Sequence, residues 1–390
     1  MKIRFRRILF GALFTVVALV IGLVIAAWLK LGATLPPSDC TIRLAGLDGP
    51  IEITTDTMGI AQVWAETEHD ALFGLGWLHA ADRMFNIDFL RRVSQGRLSE
   101  LLGLTTVEFD MNRRRDGHVE AARTALDRLS PENLDRLQAY TDGINACAQA
   151  CVDPPIEFIW LQKTFDEWRV FDCLTLLNFM SWYSDALQNR DGFFASLVHD
   201  GHTAAVQTLP IEYPAWAPTT VRTDRSELDS PCGSFRERAA ASLAQLVLQS
   251  GAESFTPTRS SNAWAVAPSR STSGKAIFSS DPHLEIARLP QFWYAVGLHA
   301  RRPKIDAVGI TIPGLPFIVM GHNGHAAWAF TAGGVDVVDY YTERRHPSDS
   351  TMYLERIEHP RGDDSLVWRP LQIIPDYIRI AFQGTVVIFT

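Results

Sequence analysis

The hydropathy pattern divides the chain into an apolar leader, a helical stretch and a later strand-rich stretch. Uncharged residues run from Ile8 to Leu29 behind Lys2, Arg4, Arg6 and Arg7. At 1.5 Å per residue such a helix spans a hydrocarbon core of roughly 30 Å. The cationic flank stays cytoplasmic, which predicts an exported body, periplasmic or extracellular, on an inner-membrane anchor over residues 1–30. A cleavable signal peptide has the same charged start, but its apolar region is shorter, about 7–15 residues, and no small-x-small cleavage site stands out. Residues 31–40, with ATLPPSD at 33–39, read as a linker, since two adjacent prolines support no regular element.

From Thr41 the folded part begins. Apolar clusters at Ile42–Leu47 and Ile51–Thr55 flank Asp48-Gly49-Pro50 and predict a hairpin. The spacing then becomes helical: Ala71, Leu72, Leu75, Leu78, Met84, Phe85 and Leu90 recur at three- and four-residue intervals behind a capping Thr67, giving a helix or helix pair to Arg92. Ser130-Pro131-Glu132 opens a second helix through Leu134, Leu137, Tyr140 and Ile144. Residues 236–250 read as a short helix between exposed connections. Beyond Ser261, Ala263–Ala267, Ala276–Ser279, Phe292–Leu298 and Ile305–Ile312 are rich in β-branched and aromatic residues and predict strands.

Composition narrows the function. With 390 residues, 47% apolar, the chain can bury a large core. The net charge of −8, with basic residues dispersed outside the extreme N-terminus, leaves no footprint for nucleic acid. Five cysteines form no CxxC pair; Cys147 and Cys151, four apart on a predicted helix, read as buried thiols. HExxH and GxSxG are absent. Ser269–Ala276 (SRSTSGKA) lacks the first glycine of a phosphate loop and has Ala276 where a magnesium-binding hydroxyl belongs.

What remains is Ser261-Asn262-Ala263-Trp264, by itself a turn dipeptide followed by a strand. Several blocks surround it in order. The first is Asp56–Glu100, containing Gly76-Trp77-Leu78-His79-Ala80 and RRVSQGRLSE at 91–100. YTDGINA (140–146), PIEF (155–158) and EWRVFD (167–172) follow, then Asp281-Pro282-His283-Leu284 and finally PGLPF, GHNGHAAWAFT and AGGVDVVD within 313–339. In these blocks the sequence resembles the penicillin amidase family of N-terminal-nucleophile hydrolases, over nearly all of residues 41–345.

The resemblance implies an α+β fold, an αββα sandwich of antiparallel sheets between helical layers. It divides the chain into an upstream chain (41–235), a spacer (236–260) and the start of a downstream chain (261–390), the two chains staying associated after cleavage. The activity implied is hydrolysis of an N-acylated small molecule of the penicillin, cephalosporin or acyl-homoserine-lactone type. Self-cleavage before Ser261 would free an α-amine of pKa about 7.7–8.0, which can serve as base to its own hydroxyl. His283 stands where the family carries His or Gln beside the nucleophile, although a lone histidine is otherwise a structural residue. Ala332 occupies the position whose backbone N–H joins the oxyanion hole. Asp336, Val338 and Asp339 match a calcium site, with Asn189 where the family has glutamate; a solvated acidic loop is the plain alternative.

Family precursors are longer, so the resemblance also implies a C-terminally truncated chain that ends in the strand-like run Thr385–Thr390. A missing oxyanion donor typically costs about 10²–10³ in rate. A membrane-tethered binding protein without catalysis, or an inactive fragment, therefore stand as alternatives.

Overall fold

The computed structural model describes residues 2–35, 40–151, 153–184, 197, 201–202, 260–283, 291–331, 344–357, 365–372, 376–381 and 386–389. The leader is one helix, α1 (Lys2–Ala33), whose span Leu13–Ala33 is long and apolar enough to cross a membrane and is not buried in the protein. Lys30 near its end pairs with Asp153 of the body.

The expected hairpin at 42–55 is corrected: no strand forms over 42–47. Instead β1 (Glu52–Thr55) pairs with β2 (Ala61–Thr67). Asp56 decides this, because its carboxylate accepts the amides of Met58 and Ile60 at 2.8 and 2.9 Å, and Gly59 supplies the positive φ of the turn. The amides of Asp48 and Gly49 go to the buried carboxylate of Asp70, at 3.0 and 2.9 Å.

Helix α2 (Glu68–Gln95) starts as predicted, with the Thr67 hydroxyl accepting Asp70 N, and bends at Arg83. Short helices α3 (Ser99–Leu102), α4 (Val107–Arg115) and α5 (His118–Asp127) follow, then α6 (Pro131–Ala150), capped by Ser130 as predicted. After α7 (Ile156–Leu161) comes α8 (Val170–Ser184), most of whose inner positions are buried. The helix expected over 236–250 lies outside the described residues. Strand β3 (Ser260–Val266) pairs with β4 (Ile277–His283) as a separate antiparallel hairpin, and residues 269–276 contribute its connection.

The main sheet continues with β5 (Tyr294–Arg302), β6 (Ile305–Thr311), β7 (Met320–His322) and β8 (Ala327–Trp328), in the order β1-β2-β5-β6-β7-β8. The α+β class is the one expected. Among the described residues one helical layer lies on this sheet, which is mixed rather than wholly antiparallel: β2 and β5 run parallel. The helices and the β3–β4 hairpin separate those two strands in sequence, and only a long crossover of that kind can join parallel neighbours. Two further hairpins complete the chain, β9 (Met352–Ile357) with β10 (Ser365–Pro370), and β11 (Asp376–Arg379) with β12 (Val386–Phe389). The terminal run is thus paired through β11.

The core forms where α2 and α6 meet the sheet: Leu75, Leu78, Ile87, Tyr140 and Ile144 pack on Ala61, Val63, Val296 and Leu298. The helix backbones almost touch. A Cβ added to Gly76 would lie 2.0 Å from Tyr140 O, and one on Gly143 would lie 2.0 Å from Phe73 O. A second cluster joins Leu90, Val93, Leu101, Leu176, Phe179 and Leu315. Burying leucine-sized side chains contributes about 1.5–3 kcal/mol each.

Candidate active site

The β3–β4 hairpin carries Ser261 and Asp281-Pro282-His283. Its register sets Ser260 opposite His283, Ser261 opposite Pro282 and Asn262 opposite Asp281. Cross-strand partners share a face and neighbours along a strand alternate. Asn262, Asp281 and His283 therefore lie on one face, and Ser261 lies on the other with Pro282. His283 meets two partners through one ring nitrogen, Asn262 Nδ2 at 3.1 Å and Asp281 Oδ2 at 3.0 Å. That Nε2 serves one at a time: protonated it donates to the carboxylate, and bare it accepts from the amide. The structure thus brings Ser261 and His283 to neighbouring register positions of one ribbon, with the peptide bond between 260 and 261 inside strand β3.

The hairpin touches the main sheet through Ser280 Oγ, 3.7 Å from Met320 Sδ on β7. Strands β7 and β8 come from the GHNGHAAW motif. Asn323 makes their turn by accepting the amides of His325 and Ala326 at 3.1 and 2.8 Å, and Trp328 Nε1 donates to Ile318 O at 3.1 Å. The chain then leaves through Phe330 and Thr331 toward Ala332. Ala332, Asn189, Asp336, Val338 and Asp339 all lie outside the described residues.

The other motif blocks meet in the interior as a connected polar framework, to which residue spacing had assigned no roles. His79 is fully buried, with Nδ1 2.7 Å from Tyr140 Oη and Nε2 2.9 Å from Thr311 Oγ1. Burial, with Arg83 nearby, pushes its pKa down to about 3, so the ring is neutral. Tyr140 Oη also accepts Gly314 N at 2.8 Å, which fastens the PGLPF loop to α6. Asn145 clasps Trp168 through both backbone groups at 2.8 Å.

Below this, Asp88 takes Arg91 and, at 2.8 Å, Arg92 Nε; Arg92 also reaches Glu100, and Gln95 donates to Asp172 at 2.6 Å. RRVSQGRLSE and EWRVFD are therefore scaffold. The signal that could have marked them is charge density inside an otherwise apolar helix, because buried charges must be paired.

Among the described residues, Asp48, His69 and Asp70 place potential ligand atoms within 4.8 Å of one another. The Asp70 carboxylate is already taken by two backbone amides, and the positive end of α2 beside it opposes a cation. An open groove lined by Trp64, Glu66, His299, Arg301 and Lys304 contains none of the predicted site residues, and Glu66 pairs there with Arg301 at 2.9 Å.

Comparisons with known proteins bear on these residues. A family model described as penicillin amidase matches residues 50–390. The chain is 32% identical over 326 residues to penicillin acylase 2 proenzyme of Pseudomonas sp. (strain SE83), covering 80% of this chain and 40% of that protein. It is 30% identical to acyl-homoserine lactone acylase QuiP of Pseudomonas aeruginosa, covering 84% and 38%, and 28% identical to penicillin G acylase of Escherichia coli, covering 78% and 41%. The chain thus spans about two-fifths of the length of the curated relatives it matches.

Proposed function

Because the chain belongs to the penicillin amidase family, we propose that it is part of an exported acylase precursor in which Ser261 becomes a catalytic N-terminal residue. The observation that carries this reading is Ser261 itself, held in a regular strand against Asp281-Pro282-His283 inside the matched region. In the maturation step Ser261 Oγ attacks the carbonyl carbon of Ser260, the C–N bond breaks, and an ester and a free α-amine form. Water then hydrolyses the ester, leaving a carboxylate on Ser260.

In the acylase reaction the α-amine takes the Oγ proton as Oγ attacks the substrate amide, then returns it to the departing amine. Water releases the acid from the acyl-serine ester. The Ala332 N–H stabilises the developing oxyanion, and His283, set by Asp281 and Asn262, turns toward the new amine once the strand is cut. The substrate class is an N-acylated small molecule whose linear carboxamide is cleaved, of β-lactam or acyl-homoserine-lactone type, after the relatives' names. Asp336, Asp339, the Val338 carbonyl and Asn189 offer hard oxygen donors that suit calcium, which would tie the two chains together. Helix α1 holds the protein at the inner membrane or directs its export.

Mass spectrometry of the exported chain tests the centre of this reading. Wild type should yield a fragment beginning at Ser261, and Ser261→Ala should stay whole. Cleavage at the same junction in the alanine variant overturns the nucleophile. An intact wild-type chain that retains N-acyl ligands without hydrolysing them points to a binding protein instead.

A further inference from the structure

Cys147 and Cys151 stand outside the proposed reaction. Cys147 is buried in the α6 core, Cys151 is half-buried just beyond the helix, and both are free thiols with Sγ atoms 4.0 Å apart. Helix geometry decides what that separation suits. Residues four apart on a helix hold their Cβ atoms about 5–6 Å apart, whereas a disulfide needs about 3.5–4.5 Å between Cβ atoms and about 2.05 Å between sulfurs. Closing that gap would break the last turn, where Cys151 N donates to Cys147 O at 3.0 Å.

A metal ion between the sulfurs needs no such movement. Two metal–thiolate bonds of about 2.3 Å each span sulfurs up to about 4.6 Å apart, so the observed separation accommodates a bent S–metal–S unit. We propose that Cys147 and Cys151 form a two-thiolate site for one soft d10 cation, with Cu(I) the ion their chemistry favours. Zinc asks for four ligands, whereas Cu(I) is satisfied by two soft sulfurs. On binding, each thiol releases its proton to solvent and no electron is transferred. Cys151 lies at the half-exposed end of the site, where water solvates the net negative charge of the complex.

The test uses the full-length chain with Cys40 and Cys232 replaced by serine, purified in detergent and titrated without oxygen against a chromogenic Cu(I) chelator. One equivalent of Cu(I) should leave the chelator. Cys151→Ser should weaken capture by about 100-fold or more, because the second thiolate acts at high effective concentration. Cys147→Ser should do the same, and X-ray absorption of the loaded protein should show two sulfur neighbours. The proposal fails if the parent leaves the chelator colour unchanged or if Cys151→Ser captures the metal as tightly. It fails equally if oxidised glutathione readily links the two thiols in a disulfide, since the helix would then not hold them apart.

Discussion

The α2–α6 crossing and the β3–β4 hairpin are both built from motifs of the same family, yet they solve opposite problems. At the crossing, Gly76 and Gly143 let two backbones meet and His79 and Tyr140 satisfy each other in a dry interior, while farther along α2 Asp88 shares its buried carboxylate between two arginines. In the hairpin, residues 262–265 are exposed, Trp264 among them at 53%, and the side chains around His283 face solvent. The crossing stores stability in a framework that resists change. The hairpin keeps His283 and the strand that carries Ser261 within reach of water, as the maturation proposed above requires.

That contrast can be broken by substitution. The largest effect is expected for Asp88→Ala, which leaves Arg91 and Arg92 buried without their shared carboxylate; denaturant unfolding should show a loss of about 3–5 kcal/mol. Gly143→Ala drives a methyl into Phe73 O and should cost about 1–3 kcal/mol by the same measurement. Tyr140→Phe removes the oxygen shared by His79 and Gly314 N, and should cost about 1–3 kcal/mol while loosening the 312–319 loop in hydrogen exchange.

His79 sharpens the comparison through pH. Its folded pKa of about 3 lies below the ordinary 6.5, so between those values the unfolded chain binds more protons than the folded one. Its contribution is fully present above about 6.5 and is lost as pH falls toward about 3. Unfolding titrations should show this slope, and His79→Phe should flatten it; an unchanged slope would remove His79 as its source. The smallest effect belongs to the hairpin: Ile277→Thr, at a position 51% exposed, should change stability by less than about 0.5 kcal/mol. A larger loss would show that the hairpin is anchored like the crossing.

The two long helices were legible because their signals are local: Thr67 and Ser130 cap them, and apolar residues recur on the face that meets the sheet. Helix α1 was legible too, from its uncharged run, but the shorter helices of the body were not. Helix α8 is apolar on nearly every side, which erases periodicity, and α4 is too polar to show any. The strand at 42–47 was misplaced because apolar content says nothing about a partner, and the Asp56 turn recruited 61–67 instead. Of the candidate site, Ser261 and His283 were named from motif resemblance, but their placement on opposite faces of one ribbon needed the register.

Periodicity, caps, turn residues and the order of motifs belong to the chain by itself, because each depends on neighbours a few positions away. The parallel pairing of β2 with β5, the closure of three motif blocks around His79, Asn145 and Asp88, and the face that Ser261 presents were decided only in three dimensions. Contacts between residues tens to hundreds of positions apart depend on which surfaces can be buried together, and linear spacing does not encode that.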